Sequence, residues 1–524
     1  MKQKSTYKVF NRTFIFSLIV YLFVGSFLIY FYQYRISPDG VSYISISQKY
    51  LHGNFQDAIN GYWGPLFSWL LIPFLYLNIP PLLSLKILNL ILGSLTLIGV
   101  KFLSLRFRMS TTLRDLSSLI SIAAVLYFAL CTNTPDLLIT CMLIYYFYKV
   151  YDPHYSTNVF NAILGGFIGG MMYLSKSYGF YFFIVHFLII NCIHYINAKV
   201  INRKRVMLNF ISGFVSFFLI CGIWISLISD KYNYITVGTS GKYNHNLVGP
   251  NSKGNPHYYQ GLLPPPNDSA ISEWEDPSYL KMESWFSPTH QLKVIFRNLH
   301  KIKSLFEEFS IFSIMIILFY LLSAIIPLKK LSSRFDIIFP ILTLIVYCGG
   351  YTLVLVYSRY IWICYILLML MGYSALDAIK KSDFFSKNRK LFLVTCLSVS
   401  FLVLPMVEII GNLNNGRDIY RLSNMISSLN VKGNIASNRE WQKSLYLSFH
   451  LNWHYYGMTE AMTSQGMEKE LIDNDIDYYL LWEDQTFPLG VLIDAFKLDN
   501  SDLPKLKIFA IQKDNINNSN IGVK

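Results

Sequence analysis

The chain has 524 residues, of which 53% are hydrophobic and 15% are charged, whereas roughly a quarter of the residues in soluble domains are charged. Long apolar runs recur along it, each near the roughly 20 residues that a helix needs to cross a bilayer. The net charge of +14 does not indicate a nucleic-acid partner, because the basic residues form short clusters between apolar runs. This composition excludes a soluble protein and predicts an α-helical polytopic membrane protein, with membrane lipids as its surroundings.

The first apolar run, 13–32, follows basic residues that begin at Lys2 and end at Arg12. No small-x-small cleavage site follows this run, so we expect a retained first span and not a cleaved signal peptide. Apolar runs of this kind predict eleven spans, at 13–32, 82–104, 115–131, 134–152, 158–175, 177–198, 206–229, 309–328, 335–356, 359–378 and 389–410.

The run 64–79 is also apolar, but it is short and contains Pro65 and Pro73. We expect it to form a partly inserted helix on the outer face, because a twelfth span here would move the basic cluster that follows it to the outside. With eleven spans and a cytoplasmic N-terminus, every dense basic cluster lies on the cytoplasmic side, as the positive-inside rule requires. These clusters are Arg106, Arg108 and Arg114; Lys199, Arg203, Lys204 and Arg205; Lys329, Lys330 and Arg334; Lys380, Lys381, Lys387, Arg389 and Lys390.

The predicted topology divides the chain at residue 410. Residues 1–410 are the transmembrane domain, with outer loops at 33–63 and 230–308, and residues 411–524 are a small extracytoplasmic α/β domain. In this tail, strand-like runs at 431–437, 476–482 and 506–512 alternate with helix-like runs at 439–450 and 467–473. We therefore expect an integral protein of the cell (inner) membrane whose C-terminal domain lies outside the cytoplasm.

All seven cysteines fall within apolar runs, and their spacing is not that of a disulfide framework or a zinc site. We expect neither a metal nor a cofactor in this protein.

Two acidic residues stand at the outer ends of spans. Asp39 follows the first span, and Asp136 begins the fourth span after Thr134 and Pro135. Ordinary turn and helix-capping chemistry explains both residues. The alternative is that they are catalytic carboxylates.

Two basic residues, Lys176 and Arg359, lie in short outer turns, where basic residues are under-represented. Extension of these side chains toward lipid headgroups is one explanation. The other explanation is functional: two cations and two carboxylates on one face of an apolar bundle suit a lipid-linked phosphate and a general base.

At these residues the sequence resembles the GT-C superfamily of polytopic glycosyltransferases, especially the branch of protein O-mannosyltransferases and aminoarabinose transferases. Four stretches carry the resemblance, in the order that this family has. They are Pro38-Asp39-Gly40 with Tyr43 leading to Gly64-Pro65-Leu66; Thr134-Pro135-Asp136-Leu137-Leu138; Leu174-Ser175-Lys176-Ser177-Tyr178-Gly179; and Ser358-Arg359-Tyr360.

The resemblance implies a glycosyltransferase with a polyprenyl-phosphate-linked sugar as donor and a lipid, glycan or protein as acceptor. It implies that Asp39 is the catalytic base and that Lys176 and Arg359 hold the donor phosphate. Tyr43 and Tyr360, within the same motifs, are candidate substrate-binding residues, and Asp136 is a second catalytic candidate. Many relatives have Asp-Glu where this chain has Asp39 followed by glycine, which argues against a two-carboxylate metal site.

Two other functions stay open. A polysaccharide polymerase or ligase uses the same kind of lipid carrier but typically relies on arginines in large outer loops, and Arg297 is the only arginine in loop 230–308. A non-catalytic transporter favours repeated halves and ionisable groups near the midplane, and a membrane anchor that displays the tail leaves Lys176 and Arg359 without a role.

Overall fold

The structure is a computed structural model that describes residues 11–155, 158–325, 335–380, 386–461, 463–484, 487–499 and 501–512. Several residues of the predicted basic clusters lie outside the described residues. They are Lys2, Lys4, Lys8, Lys329, Lys330, Arg334 and Lys381.

The region before the tail is built from α-helices, joined by loops and short 3-10 turns. The helices are α1 (Arg12–Tyr32), α2 (Pro38–Leu51), α3 (Phe55–Ala58), α4 (Pro65–Tyr76), α5 (Pro81–Ser104), α6 (Thr111–Leu130), α7 (Asp136–Val150), α8 (Val159–Ser175), α9 (Tyr178–Asn197), α10 (Val200–Tyr232), α11 (Ser240–Val248), α12 (Pro288–Phe309), α13 (Ser313–Ile325), α14 (Phe335–Thr352), α15 (Trp362–Lys380) and α16 (Lys387–Gly411).

Eight helices of the described residues are long and apolar enough to cross a membrane, or nine if the bent pair α12 and α13 counts as one span. The prediction of an α-helical polytopic membrane protein is therefore confirmed. A helix overlaps each of the eleven predicted runs, but α7 and α8 have only 15 and 17 residues. The count of eleven spans stays a prediction.

Helix α4 has 12 residues and is about 18 Å long, well short of the roughly 30 Å of a hydrocarbon core. Pro65 stands at its first position, where a missing N–H costs no hydrogen bond. A Cβ on Gly64 would lie 2.6 Å from the carbonyl oxygens of Leu174 and Ser175. Glycine therefore lets α4 begin directly against the turn that carries Lys176.

The structure corrects two parts of the sequence prediction. Helix α10 has 33 residues and already includes Arg203, Lys204 and Arg205, which we expected in a loop. At about 50 Å it is longer than the bilayer core, so its first turns extend beyond the apolar part. The segment 288–309, predicted as loop, is the 22-residue helix α12, and its axis is bent by 106° from that of α13.

The two ends of the bundle differ in their polar contacts. At one end, Lys86 on α5 donates to the carbonyl of Leu130 and to the Asn133 side chain, at 2.8 and 2.7 Å. Beyond the far end of the same 24-residue helix, the ion pairs Arg106–Asp152 and Arg108–Asp336, each 2.7 Å long, join the segment after α5 to the loop after α7 and to α14. The described cations of the 106–114 cluster therefore lie at the end of α5 remote from Lys86.

The tail forms a five-stranded sheet with the strand order β2-β1-β3-β5-β4. Strand β1 runs parallel to β2 and β3, whereas β5 runs antiparallel to β3 and β4. Its elements are α17 (Arg417–Ser427), β1 (Asn434–Ser437), α18 (Trp441–Leu451), β2 (His454–Met458), α19 (Ser464–Asp473), β3 (Tyr478–Trp482), β4 (Gly490–Phe496) and β5 (Leu506–Ile511). The three predicted strands and two predicted helices are present, and the prediction missed β2, β4 and α17.

The sheet packs against the loop 230–308 through its edge strand β2. The Tyr455 N–H donates to the Ile271 carbonyl, and the Leu263 N–H donates to the Tyr456 carbonyl, each at 2.7 Å. Helix α18 contacts α2. The division at residue 410 stays a prediction, but the tail and the loop form a continuous contact over the end of the bundle that carries α2.

Reporter fusions test the predicted orientation. A fusion after residue 411 should be active only outside the cytoplasm, and a fusion near Met109 only inside, because the 106–114 cations favour the cytoplasmic side. The measurement is paired alkaline phosphatase and green fluorescent protein activity at the two sites. An outer location for Met109 would contradict the topology.

Candidate active site

A cavity of about 600 Å³ opens among the outer turns predicted from the sequence. Its walls come from the start of α2, the start of α4, the turns before α7 and α9, the segment that follows α14, the loop 230–308 and the tail helix α18. Most of its lining is apolar or aromatic, and its charged lining residues are Asp39, Asp136, Lys176 and Arg359.

Asp39 lies in the first turn of α2, where Ser37 caps the helix by accepting a hydrogen bond from the Gly40 N–H at 3.1 Å. The capping role therefore belongs to Ser37, and the Asp39 carboxylate is directed into the cavity. Its Oδ2 accepts a hydrogen bond of 2.7 Å from Arg359, and its Oδ1 accepts one of 3.1 Å from the Trp274 indole.

The glycine after Asp39 has a structural reason. A Cβ at Gly40 would lie 2.7 Å from the Cβ of Asn133, a separation that side chains do not tolerate. A second acid at this position therefore does not fit in this chain.

Asp136 begins α7 and is buried, with 2% of its side chain exposed. Its Oδ1 accepts a hydrogen bond from Lys176 at 2.7 Å, and its Oδ2 accepts one from the Thr134 hydroxyl at 2.5 Å. The Nε of Arg359 lies 3.7 Å from the same Oδ2. Thr134 thus holds the carboxylate and does not cap the helix backbone, which differs from the capping role expected from the sequence.

The two cations meet at one aromatic ring. The Lys176 Nζ lies 3.5 Å from the centre of the Tyr360 ring, and the Arg359 guanidinium lies 5.5 Å from it. Both cations also pair with cavity carboxylates, so simple extension toward headgroups does not describe them. The ring and the carboxylates fix two positive charges side by side.

Tyr43 is buried on α2 and lines the cavity, with its ring packed against Trp63 and Phe67 at centroid distances of 5.2 and 5.3 Å. The structure thus brings all six predicted site residues to one cavity: Asp39, Tyr43, Asp136, Lys176, Arg359 and Tyr360. Their individual roles stay predictions.

The segment 272–276 reaches the site from the long loop 230–308. From the sequence, the loop is expected either to close over the site with its aromatic residues Tyr258, Tyr259, Trp274 and Trp285 or to be an ordinary exposed loop, and Tyr258 and Trp274 line the cavity. Besides its bond to Asp39, Trp274 accepts hydrogen bonds at its carbonyl from Ser42 and from the Trp63 indole, at 3.1 and 3.3 Å. Glu275 pairs with Lys49 of α2, so this segment is fastened to α2 along its length. In the sequence, this segment is recognisable as a tryptophan between acidic residues. The sequence alone does not show that the tryptophan side chain points toward Asp39.

The tail also reaches the site, through Trp441 at the start of α18. The Trp441 indole donates to Glu273 at 3.1 Å, and its ring stacks on His257 at a centroid distance of 4.0 Å. Burial raises the pKa of Glu273 to about 8 and lowers the pKa of His257 to about 3. Both groups are therefore uncharged at neutral pH, and this wall of the cavity is electrically neutral.

No known protein-family model matches the sequence, and no curated protein sequence is similar to it. Two solved structures are similar in fold. ArnT from Cupriavidus metallidurans, bound to undecaprenyl phosphate, aligns over 95% of this chain and 97% of its own, with a TM-score of 0.58 and 11% identity. An oligosaccharyltransferase from Archaeoglobus fulgidus, in complex with zinc and sulfate, aligns over 90% of this chain and 68% of its own, with the same TM-score and identity.

Both proteins are GT-C glycosyltransferases. This chain has the GT-C fold. Each likeness covers at least 90% of this chain, so the predicted fold class is confirmed, while the number of spans stays a prediction.

Zinc is present in one of the two GT-C structures. In this chain, no group of three His, Cys, Asp or Glu among the described residues could hold a metal ion. The cavity carboxylates of Asp39 and Asp136 each pair with a cation instead. These residues do not fit a metal.

Replacing Asp136 with alanine tests how the cavity charges are held. The change removes the ion-pair partner of Lys176, whereas Arg359 keeps its pair with Asp39. Breaking a buried pair by removing one partner costs about 3–5 kcal/mol. Thermal unfolding in detergent should show a marked decrease in stability. As a matched control, Glu307→Ala breaks the exposed pair with Lys303, worth about 0.3–0.5 kcal/mol; equal effects of the two changes would contradict the analysis.

Proposed function

We propose that this chain is a membrane glycosyltransferase that transfers a sugar from a polyprenyl-phosphate-linked donor to an acceptor at the outer face of the cell (inner) membrane. The observation that carries the proposal is the pairing of Asp39 with Arg359 and of Asp136 with Lys176 in one cavity. The GT-C fold supports it, since ArnT of the same fold is bound to undecaprenyl phosphate.

Lys176 and Arg359 hold the donor phosphate in this proposal. The Lys176 ammonium has three N–H groups and the Arg359 guanidinium has five, so each keeps donors free after binding its carboxylate. Their side chains are 22% and 28% exposed, which leaves them open to the cavity. A phosphate that bridges them makes charge-assisted hydrogen bonds in a site with little water.

Asp39 is the general base. The acceptor hydroxyl attacks the anomeric carbon of the donor sugar while its proton moves to the Asp39 carboxylate. The bond between the anomeric carbon and the phosphate oxygen breaks, and its electron pair stays on that oxygen.

Charge is conserved within the site during this step. Asp39 loses one negative charge when it takes the proton, and the departing phosphate gains one. Arg359, bound to Asp39 at 2.7 Å beforehand, then interacts with the phosphate more strongly. The same cation therefore stabilises the carboxylate first and the leaving group afterwards, without leaving a buried charge unpaired.

Asp136 keeps the two cations in place and does not act as a nucleophile. Its side chain is 2% exposed, against 16% for Asp39, and its oxygens contact Lys176, Thr134 and Arg359. Asp136 is therefore less accessible to the sugar than Asp39. One direct displacement follows, and the anomeric configuration is inverted.

The geometry favours this function over the polymerase or ligase alternative. Arg297, the single arginine of the long loop, is on the exposed side of α12 and does not line the cavity. A membrane anchor displaying the tail also explains less, because it gives no reason for four paired charges inside a cavity.

Asp39→Asn should lower transfer by about 10²–10⁴-fold, because the amide keeps the shape of the side chain but does not accept the proton. Binding of polyprenyl phosphate should change little. The measurements are the transfer of labelled sugar and lipid binding by the purified variant. Asp57→Asn, in the same outer segment but outside the cavity, is the control and should be active; near-normal turnover of Asp39→Asn would exclude the base role.

Lys176→Ala and Arg359→Ala should each weaken the binding of polyprenyl phosphate by about 10–100-fold, since hydrogen bonds to charged groups contribute about 1.5–3 kcal/mol. The lipid without a sugar is the right probe, because it presents the phosphate alone. Arg297→Ala is the control cation and should bind normally. Equal affinity in wild type and all three variants would refute the phosphate site.

A further inference from the structure

Beside the paired charges, the cavity has a wall of aromatic rings that the donor site does not use. This aromatic wall consists of Tyr62, Trp63, His257, Tyr258, Trp274 and Trp441, all of which line the cavity. Trp274 is at its centre: its ring lies 5.8 Å from Tyr62, 5.5 Å from His257 and 6.3 Å from Trp441, between centroids. The wall therefore runs without a gap from the outer loop at Tyr62 to the tail.

The aromatic wall contacts the proposed base through its central residue, Trp274. The Trp274 indole donates to Asp39 at 3.1 Å, so a ligand that lies against Trp274 is next to the Asp39 carboxylate. Trp274 and Tyr62 are only partly buried, and Tyr258 is 55% exposed. These rings have surface available for a ligand.

Side-chain amides beside the aromatic wall are available as well. Asn244 and Gln442 line the cavity, and neither side chain makes a hydrogen bond to any of the described residues. An amide offers both a donor and an acceptor, which matches a hydroxyl group. Apolar rings with nearby amides are complementary to a sugar, because a sugar has apolar C–H faces and a rim of hydroxyls.

Resting on the proposed function, we infer that the acceptor is a neutral carbohydrate whose terminal sugar stacks on the aromatic wall and presents a hydroxyl to Asp39. An acidic acceptor would need cations, and the cavity's charged lining residues are the four already paired around the donor site. The aromatic wall itself carries no charge, since the low pKa of its member His257 and the raised pKa of Glu273, which does not line the cavity, keep both groups neutral at pH 7.

A peptide acceptor suits this cavity less well. Extended peptides commonly bind by adding a strand to a free sheet edge. The edge of the tail sheet nearest the cavity is β2, and the loop already covers it with hydrogen bonds at Tyr455 and Tyr456. The cavity volume of about 600 Å³ is within the range of small-molecule sites and leaves room for sugar rings.

The experiment applies the purified full-length protein in detergent to an array of neutral oligosaccharides, acidic oligosaccharides and serine-containing peptides. We expect binding to neutral oligosaccharides. Tyr258→Ala and Trp274→Ala should each weaken it by about tenfold, as expected for loss of an aromatic contact. Trp285→Ala is the matched control, because Trp285 is in the same loop and 56% exposed but does not line the cavity.

Three outcomes would overturn the inference. The first is binding to acidic oligosaccharides or peptides alone, the second is no binding at all, and the third is an equal loss of binding in Tyr258→Ala and Trp285→Ala. Tyr258 is exposed, so its variant tests the aromatic wall even if Trp274→Ala does not fold. Lys176→Ala separates this inference from the proposed function. This variant should bind polyprenyl phosphate more weakly but keep neutral-oligosaccharide binding. A wild-type protein that binds oligosaccharides and no polyprenyl phosphate would refute the donor proposal alone.

Discussion

Four charged side chains at the end of an apolar helix bundle are the constraint on which the other features of this structure depend. An unpaired charge in such surroundings costs several kcal/mol, so Asp39, Asp136, Lys176 and Arg359 are stable only together. They come from four separate turns of the chain. Their pairing therefore requires four parts of the chain to meet at one place: the start of α2, the start of α7, the end of α8 and the segment before α15. The cavity lies where they meet.

Two further layers hold this arrangement from outside. The segment 272–276 is bound to α2 through Glu275 and Lys49 and reaches Asp39 through Trp274. The tail in turn holds that segment through Trp441. The tail is thus linked to the proposed base by a short series of direct contacts. It forms part of the cavity wall as well as covering the end of the bundle.

Helix segments and their polar ends were predictable because they depend on local sequence. The helical core of each predicted span appears in the structure. Of the five tail strands, three were predicted. The missed elements depend on partners remote in sequence. Helix α12 has no long apolar run, and it buries one face with Val294, Ile302 and Phe309 against the bundle. Strand β4 is an edge strand of the sheet, and its only strand partner among the described residues is β5.

The sequence by itself determined the membrane class and most helix positions, because apolar length is written directly in the order of residues. It also indicated four charged site candidates at helix ends, whereas the candidates Tyr43 and Tyr360 came from the family resemblance. The tertiary structure alone decided which carboxylate pairs with which cation, that Trp274 meets Asp39 across 235 positions of the chain, and that Trp441 of the tail enters the cavity wall. These contacts join segments far apart in sequence, and the packing of the whole bundle, loop and sheet sets their distances.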